Sequence, residues 1–248
     1  MDNREANRYY FDVIADRYES IDGRRNDDLS WWLDDNLRRL SAGRRDGRLL
    51  DLGCGTGFVM RKAEAYFGTC YGVDISHGML RQALPEQPRL AQADTSYLPF
   101  ASNSFDAVTA LAVLHHLEHH REVFKETYRV LRPGGWFYSD HDMCGTFSSR
   151  WAIPLFVYRK IFSMKRRYLA ADSRLNAELY ELTELHEEGI DTQALVNYLR
   201  EAGFAEVQVE HHWRGLNPFF NKLSELLGHR HGSVARGNAP SFALWARK

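Results

Sequence analysis

The sequence has few cysteines and no long hydrophobic run. Its 248 residues include three cysteines, Cys54, Cys70 and Cys144, which lie far apart and form no Cys-x-x-Cys pair. This usage favours a reducing compartment and argues against a zinc knuckle. No stretch approaches the roughly 18 apolar residues that span a bilayer, and the charged first eight residues lack the apolar segment of a signal peptide. We therefore expect a cytoplasmic protein with no membrane insertion.

The chain also lacks an excess of one charge. Lys and Arg number 32 and Asp and Glu number 33, so the formal net charge is −1. This balance argues against a dedicated nucleic-acid binder, because such proteins are usually strongly basic. The charge is uneven, however, since residues 150–174 contain seven basic residues and one acid. That segment is either a solvated helix face or a contact for an anionic group.

The apolar pattern predicts strands that alternate with helices. Two amphipathic helices come first, over residues 5–20 and 28–40. The predicted strands are Arg48–Leu52, Cys70–Asp74, Arg89–Gln92, Phe105–Leu111, Trp136–Asp140, Glu206–His212 and Ser241–Ala246. The helices between them are expected at 57–67, 77–84, 119–131 and 191–202. Such alternation implies right-handed crossovers and a largely parallel sheet, so the fold class is α/β.

Two segments interrupt the alternation. Residues 143–190 form a long, helical, aromatic-rich insertion with no strand signal, and residues 213–240 form a glycine-containing connection that we expect to be a long excursion. We therefore divide the chain into four parts: an N-terminal helical cap at 1–42, a core at 43–142, a helical insertion at 143–190, and a segment at 191–248 that completes the sheet.

A glycine-rich motif follows the first predicted strand. Asp51-Leu-Gly53-Cys54-Gly55-Thr-Gly57 lies where the strand ends and a helix begins. Glycines at such a point let a ligand approach the backbone where a Cβ would collide, and open α/β sheets bind ligands beyond the carboxyl ends of their strands. A dinucleotide fingerprint would need its third glycine at position 58, which is Phe58. The spacing therefore argues against a nicotinamide or flavin dinucleotide.

Acidic residues follow the next two strands. Asp74 ends the second strand, 23 residues beyond Asp51, where a carboxylate can accept hydrogen bonds from both ribose hydroxyls. Asp94 follows the third strand, where it can accept from the amino group of adenine. With Leu98-Pro-Phe100 and Arg129-Val-Leu-Arg-Pro-Gly-Gly135 after them, these residues resemble the class I S-adenosylmethionine-dependent methyltransferases. The small-molecule branch, which includes the quinone-biosynthesis C-methyltransferases and many natural-product enzymes, is the most similar.

The resemblance is strong over residues 48–142 and weak over 191–247, and Tyr10–Tyr18 resembles the opening helix of that branch. It implies S-adenosylmethionine as the cofactor, S-adenosylhomocysteine as the product, and a Rossmann-like sheet of seven mostly parallel strands whose last strand is antiparallel. It also implies a small-molecule acceptor that is methylated on oxygen, nitrogen or carbon. The residues expected to bind the cofactor are Tyr18, Asp51, Gly53, Cys54, Gly55, Gly57, Asp74, Ile75, Met79, Asp94, Thr95 and Leu111.

Four residues are candidates for the catalytic base. His115 and His116 follow the fourth strand, which in this fold delivers residues to the reacting methyl group. Asp140 and His141 end the fifth strand and are expected to point at the pocket. A base contributes when the nucleophile arrives protonated, but orientation of the reactants is expected to dominate. The alternative for His115 and His116 is that they cap the next helix or pack against the cofactor.

Other signatures of this fold are missing. His119 and His120 follow His115 and His116 at i,i+4 spacing, which can chelate a metal on one helix face, but no carboxylate ends the fourth strand, where the metal-dependent catechol-type enzymes carry one. We therefore expect no metal, and we expect His119 and His120 to face solvent. The chain also lacks the Asn/Asp-Pro-Pro-Tyr motif of adenine- and glutamine-N-methylating enzymes and the Pro-Cys pair of cytosine-C5 enzymes.

Aromatic residues of the cap and of the insertion are candidates for the acceptor site, because both segments are expected to form a lid over the strand ends. The predicted substrate-binding residues are Tyr10, Trp31, Trp32, Trp151, Phe156 and Tyr158. The insertion can instead form a homodimer interface or pack on the sheet edge. Two further functions stay open, an RNA methyltransferase and a non-catalytic module that binds the cofactor or a partner.

Overall fold

A computed structural model describes residues 1–22, 25–43, 45–84, 89–216, 224, 226 and 234–248. More than half of the connection at 213–240 lies outside the described residues. The prediction of a long excursion there concerns residues that the structure does not describe. Among the described helices, none has both the length and the apolar character needed to cross a bilayer.

Seven strands form one sheet in the order β3-β2-β1-β4-β5-β7-β6. Their bounds are β1 Arg48–Leu52, β2 Thr69–Asp74, β3 Leu90–Gln92, β4 Phe105–Leu111, β5 Leu131–Met143, β6 Glu206–His212 and β7 Ser241–Arg247. The pairs from β3 to β5 are parallel, whereas β7 is antiparallel to both of its neighbours. The predicted Rossmann-like fold with an antiparallel last strand is confirmed. The strand order reverses between β1 and β4, which opens a crevice at their carboxyl ends.

Helices connect and cover the strands. They are α1 Asn3–Ile14, α2 Tyr18–Asp22, α3 Asp27–Ser41, α4 Phe58–Ala63, α5 His77–Ala83, α6 His120–Val130, α7 Gly145–Arg150, α8 Ala152–Ile161, α9 Met164–Ala171, α10 Ala177–Thr183 and α11 Thr192–Ala202. The prediction of one helix over 5–20 was wrong, because the Arg17 amide donates to the Ile14 carbonyl and closes a turn between α1 and α2.

Apolar residues on the two faces of the sheet belong to two separate cores. Consecutive strand residues alternate between them, as the two-residue period of a strand requires: Leu50 belongs to one core and Leu49 to the other, and Phe137 and Tyr138 divide in the same way. A third cluster joins α1 to α9 and α10 through residues such as Tyr10. The N-terminal helices and the insertion therefore pack against each other.

Strand β5 contains two irregularities, one near its start and one near its end. The strand begins at Leu131, before the predicted Trp136, because Phe105 pairs with Leu131 while Ala107 pairs with Trp136, so the intervening residues bulge. A second register shift lies between Ser139 and Asp142. Within it His141 adopts a φ of 66°. A left-handed backbone at a residue other than glycine costs about 1–3 kcal/mol and is held only where the surrounding structure imposes it.

Candidate active site

A cleft opens at the carboxyl ends of β1, β2 and β4. It consists of two adjoining cavities with about 870 and about 560 Å³ of empty space, their open mouths included. The two share Tyr18, Gly53, Gly55, Leu111 and Ala112 as lining residues. We call the larger one the first cavity and the smaller one the second cavity.

The predicted cofactor residues divide between the two cavities. Asp74, Ile75, Met79, Asp94 and Thr95 line the first cavity. Asp51 and Cys54 line the second. Gly57 lines neither and starts α4 with a φ of 83°. Eleven of the twelve residues singled out from the sequence thus lie on this cleft.

The glycine loop after β1 leaves room where a side chain would lie. Gly53 and Gly55 have φ values of 61° and 52°. A Cβ on Gly53 would lie 2.7 Å from Cγ2 of Val113, closer than real Cβ contacts come. The loop is therefore restricted to glycine at Gly53 both by backbone conformation and by space.

Asp51 is a buried carboxylate at the end of β1. Its side chain accepts a hydrogen bond from the Thr109 hydroxyl at 2.7 Å. Burial raises the pKa of Asp51 to about 7, the hydrogen bond from Thr109 opposes this, and the nearby charge of Asp74 adds to it. A cationic group that bound beside Asp51 would relieve the cost of its negative charge.

Asp74 and Asp94 present carboxylates to the first cavity. Asp74 accepts from the backbone amides of Gly55 and Ser76, both at 2.8 Å. Burial raises the pKa of Asp74 to about 6, although these amide hydrogen bonds act in the opposite direction. Asp94 accepts from the Ser96 amide and pairs with the Arg4 guanidinium, each at 2.8 Å. Both carboxylates thus line the first cavity, and their binding to a nucleoside stays a prediction.

His116 and His115 have different surroundings. His116 lines the first cavity, and its Nδ1 lies 2.9 Å from the Thr183 carbonyl, which can only accept, so Nδ1 carries the proton. Burial, with a contribution from His115, lowers the pKa of His116 to about 4. His115 lies outside both cavities, and its amide and its Nδ1 donate to Oδ1 of Asp142 at 3.0 and 2.7 Å.

The other two histidines of the cluster also differ from each other. The side chain of His119 is 51% exposed, as predicted. The prediction that His120 faces solvent was wrong, because its Nε2 donates to the Leu114 carbonyl at 2.9 Å and the ring is buried. His115 and His116 lie in a 3₁₀ turn, Leu114–His116, that precedes α6, so the i,i+4 pairs do not share a helix. Instead, ligand-type atoms of His115, His116 and Glu184 come within 4.8 Å of one another.

Asp140 is fully buried and surrounded by donors. Trp32 Nε1 donates to it at 2.7 Å, His212 Nε2 at 2.8 Å, and the Tyr138 hydroxyl and the His141 amide complete the set. Burial would raise the pKa of Asp140, but the imidazoles of His212 and His141 hold it well below its usual range. This carboxylate lines neither cavity. Its lone pairs are occupied by these donors, which suits a positioning residue.

His141 is the group of this set that reaches the cleft. It lines the second cavity, its side chain is 5% exposed, and its Nε2 has no hydrogen-bond partner. Nδ1 lies 3.1 Å from Oδ1 of Asp140. The ring also lies against Gly215, where a Cβ would collide with Nε2. An imidazole whose Nδ1 faces a carboxylate and whose Nε2 has no hydrogen-bond partner is an arrangement suited to proton transfer.

Comparisons with known proteins agree with this geometry. Residues 50–139 match the model of a family described as methyltransferase domain. The chain is 31% identical over 196 residues to the demethylmenaquinone methyltransferase of Geobacillus kaustophilus. The matched region covers 72% of this chain and 79% of the relative. This chain belongs to the class I S-adenosylmethionine-dependent methyltransferases.

Two further relatives extend the comparison for this methyltransferase. It is 29% identical over 211 residues to the ubiquinone/menaquinone biosynthesis C-methyltransferase of Desulfotalea psychrophila, with 79% of this chain and 81% of the relative covered. A solved S-adenosylmethionine-dependent methyltransferase of Mesorhizobium loti superposes with a TM-score of 0.60 at 22% identity, covering 92% of this chain and 100% of that one. The likeness to the Mesorhizobium loti structure supports the fold alone.

The cofactor of the methyltransferase is S-adenosylmethionine, and S-adenosylhomocysteine is its product. The residues of the cleft fit it, because a Cβ on Gly53 would fill the space at the loop and because carboxylates lie at the ends of β1, β2 and β3. Asp74 and Asp94 are placed to accept hydrogen bonds from a ribose and an adenine, and Asp51 to balance the positive charge of the amino-acid part.

The predicted substrate residues of the methyltransferase are not brought together. Tyr10 is buried in the third cluster, Trp31 is 56% exposed, and Trp32 contacts Asp140. Trp151 stacks on Phe147, Phe156 is 62% exposed, and Tyr158 packs against the main core. None of the six lines either cavity.

Other residues of α1 line the first cavity instead. Asn3, Arg4, Asn7 and Phe11 do so, whereas the sequence pointed to Tyr10. Asn3, Asn7 and Phe11 lie four residues apart and therefore share one helix face, which is a signal that the sequence contains. The choice of Tyr10 selected the neighbouring face, which packs on α9 and α10.

Proposed function

We propose that this methyltransferase transfers a methyl group to a ring carbon of a small hydroxylated aromatic acceptor of the quinol type. The observation that carries the proposal is the similarity to relatives named for demethylmenaquinone methylation and for C-methylation in quinone biosynthesis. The second cavity supports it, because its lining is mainly apolar and aromatic. The lining residues other than the shared ones are Arg25, Leu29, Asp51, Cys54, Phe58, Val59 and His141.

The cofactor then extends across both cavities, and the acceptor shares the second one with it. The first cavity holds the nucleoside through Asp74 and Asp94, and the shared loop at Gly53 and Gly55 lets the reacting centre lie close to the backbone. The amino-acid part of the cofactor lies beside Asp51 in the second cavity, and the acceptor lies beside His141 in the same cavity. When bound, S-adenosylmethionine supplies a methyl group that is already activated on a positively charged sulfur. The protein therefore contributes mainly by orientation, which is worth up to about 7–11 kcal/mol.

Replacement of a ring hydrogen by a methyl group releases one proton, and this chain has a residue to accept it. Nε2 of His141, which has no hydrogen-bond partner, takes the proton. The carboxylate of Asp140, 3.1 Å from Nδ1, stabilises the imidazolium that forms. Trp32 and His212 hold that carboxylate in place through their hydrogen bonds. His116, whose pKa burial lowers to about 4, stays neutral and forms part of the cavity wall.

The acceptor is tested with S-adenosylmethionine labelled on its methyl group. The probes are a short-chain demethylmenaquinol, a catechol, a primary aromatic amine and bulk tRNA. We expect label in the naphthoquinol, with the new methyl group on a ring carbon by NMR and mass spectrometry. Methylation of only an oxygen, an amine or RNA would contradict the proposal.

The base is tested by His141→Gln, with His77→Gln as the control because His77 is exposed and lies outside the cleft. We expect kcat to fall by about 10²–10⁴-fold, the usual contribution of a general base. The affinity for S-adenosylhomocysteine should stay within a few-fold of wild type. Full activity of His141→Gln would assign the proton transfer to another group.

We also propose that the N-terminal helices cover the bound nucleoside. Arg4 pairs with Asp94, and the Asn7 side chain donates to the His116 carbonyl at 3.4 Å, so α1 is tied to the first cavity at two points. Removal of residues 1–16 should then weaken binding of S-adenosylhomocysteine. Retained affinity in a folded, truncated protein would contradict this role. A homodimer and the acceptor lid at 143–190 stay predictions.

A further inference from the structure

Helix α8 presents an apolar face to solvent. Ile153, Phe156, Val157 and Ile161 lie at positions i, i+3, i+4 and i+8, which share one side of a helix. Their exposed fractions are 80%, 62%, 51% and 66%. The opposite side of α8 buries Leu155 against the main core. A helix on the surface of a globular protein normally has polar residues where α8 has these four.

Basic residues lie on one side of this face, and a groove that Ile153 and Phe156 line together with Glu187, Glu188 and Asp191 lies on the other. From Cys144 to Ala171 the chain has six basic residues and no acidic one. Lys160, on the same side of α8, and Arg166 and Arg167, in α9, are exposed. Within the described parts of the chain, these three make no ion pair. Arg159, by contrast, is engaged, because it donates to the Glu187 carbonyl at 2.9 Å.

We propose that this docking face, which consists of Ile153, Phe156, Val157, Ile161 and the nearby Lys160, Arg166 and Arg167, binds the protein to a membrane surface that contains anionic lipids. A helix of this kind lies in the plane of the interface and inserts its apolar side chains at the boundary between headgroups and acyl chains. Basic side chains at the same level attract the phosphates of anionic lipids. The inference goes beyond methyl transfer and does not depend on the acceptor.

Two other occupants fit the docking face less well. A second copy of the chain in a two-fold dimer would bring the same surface to itself, so that Lys160, Arg166 and Arg167 would lie near their own copies. A nucleic acid would satisfy the charges but would leave Ile153, Val157 and Ile161 against phosphates, because aliphatic side chains offer neither stacking nor hydrogen bonds to bases. A bilayer with anionic headgroups satisfies both parts of the face.

The test is sedimentation of the full chain, saturated with S-adenosylhomocysteine, with vesicles of phosphatidylcholine alone or with 30% phosphatidylglycerol. We expect at least a fivefold larger bound fraction with the anionic vesicles. The double variant Ile153→Ser/Phe156→Ser and the variant Lys160→Glu/Arg167→Glu should each lose most of that binding. The matched controls are Leu84→Ser/Leu226→Ser, which changes two exposed apolar residues elsewhere, and Lys125→Glu. Both controls should bind as wild type does.

Three outcomes would overturn the proposal. They are equal sedimentation with both vesicles, binding that survives both docking-face variants, and a wild-type dimer that Ile153→Ser/Phe156→Ser converts to monomer in light scattering. Because every affected side chain is exposed, the variants should fold, and an unchanged Tm with S-adenosylhomocysteine checks this. Vesicle binding involves no acceptor, so its failure is distinct from a failure of the proposed C-methylation.

Discussion

The backbone amide of Gly55 donates a 2.8 Å hydrogen bond to the carboxylate of Asp74. The loop after the first strand is therefore tied to the end of the second strand, and the same carboxylate lines the cavity that fits the nucleoside. One side chain thus both shapes the loop and lines the cavity.

Asp74→Ala should weaken the binding of S-adenosylhomocysteine by about 10- to 100-fold, because hydrogen bonds to a charged group are each worth about 1.5–3 kcal/mol. Isothermal titration calorimetry measures the change. Asp34→Asn, at a partly exposed carboxylate paired with Lys62, serves as the control and should bind as wild type does. Unchanged affinity in Asp74→Ala would remove this residue from the site, and NADH should bind to neither variant.

Gly53→Ala should reduce both stability and cofactor affinity. The added Cβ would meet Val113 at 2.7 Å, and the φ of 61° adds strain. Gly43→Ala is a matched control, since Gly43 has a φ of 77° but nothing within 4 Å of where a Cβ would lie. We expect Gly43→Ala to cost only the backbone strain of about 1–2 kcal/mol and to bind S-adenosylhomocysteine normally. Thermal unfolding and calorimetry should separate the two, and equal losses would show that space at Gly53 is unimportant.

Asp51→Asn should stabilise the ligand-free protein at alkaline pH. Because burial raises the pKa of Asp51 to about 7 in the folded chain, the folded state keeps a proton that the unfolded state has lost between about pH 4 and 7. Stability therefore falls as pH rises through this window, and the variant lacks that loss.

Urea unfolding should show a gain of about 2–4 kcal/mol for Asp51→Asn at pH 8, and less than half of that gain at pH 5. The affinity for S-adenosylmethionine should fall, because the charge that faces its positive groups is removed. Asp34→Asn should show no such pH dependence. A gain that is the same at both pH values would mean that Asp51 is not an uncompensated charge in the folded chain.

Gly215→Ala should displace the imidazole of His141. Gly215 has a φ of 67°, and a Cβ there would collide with Nε2 of His141 and lie 2.9 Å from Cδ1 of Leu29. We expect kcat to fall at least about 10-fold, in line with the sensitivity of catalysis to small displacements, while the affinity for S-adenosylhomocysteine is retained. Gly237→Ala, with a φ of 81° and a nearest contact of 3.1 Å to Thr146, controls for strain. A wild-type kcat in Gly215→Ala would argue against His141 as the base.

Much of the scaffold was predictable because its signals are local. The bounds of β1, β4 and β6 agree with the sequence prediction, since each strand is a short run of apolar or alternating residues between polar and glycine-containing segments. The first helix was not predicted correctly, because the turn between Ile14 and Arg17 carries no glycine or proline to mark it.

The histidines show where local signals end. His115 and His116 are adjacent and looked equivalent, yet one donates to Asp142 and the other to the Thr183 carbonyl. His141 lies near the end of the fifth strand, as expected, but its left-handed backbone conformation occurs within a register shift in β5. No local pattern distinguishes these environments.

The sequence by itself determined the fold, the cofactor and a group of residues that line the cleft, because the glycine loop, Asp74 and Asp94 each follow a strand and parallel strands bring their carboxyl ends to one edge. Only the tertiary structure decided the roles around Asp140. Its partners Trp32 and His212 lie 108 and 72 residues away along the chain, and they occupy its lone pairs while Nε2 of His141 has no hydrogen-bond partner. Such contacts arise from packing between distant segments, and local periodicity and spacing do not encode that packing.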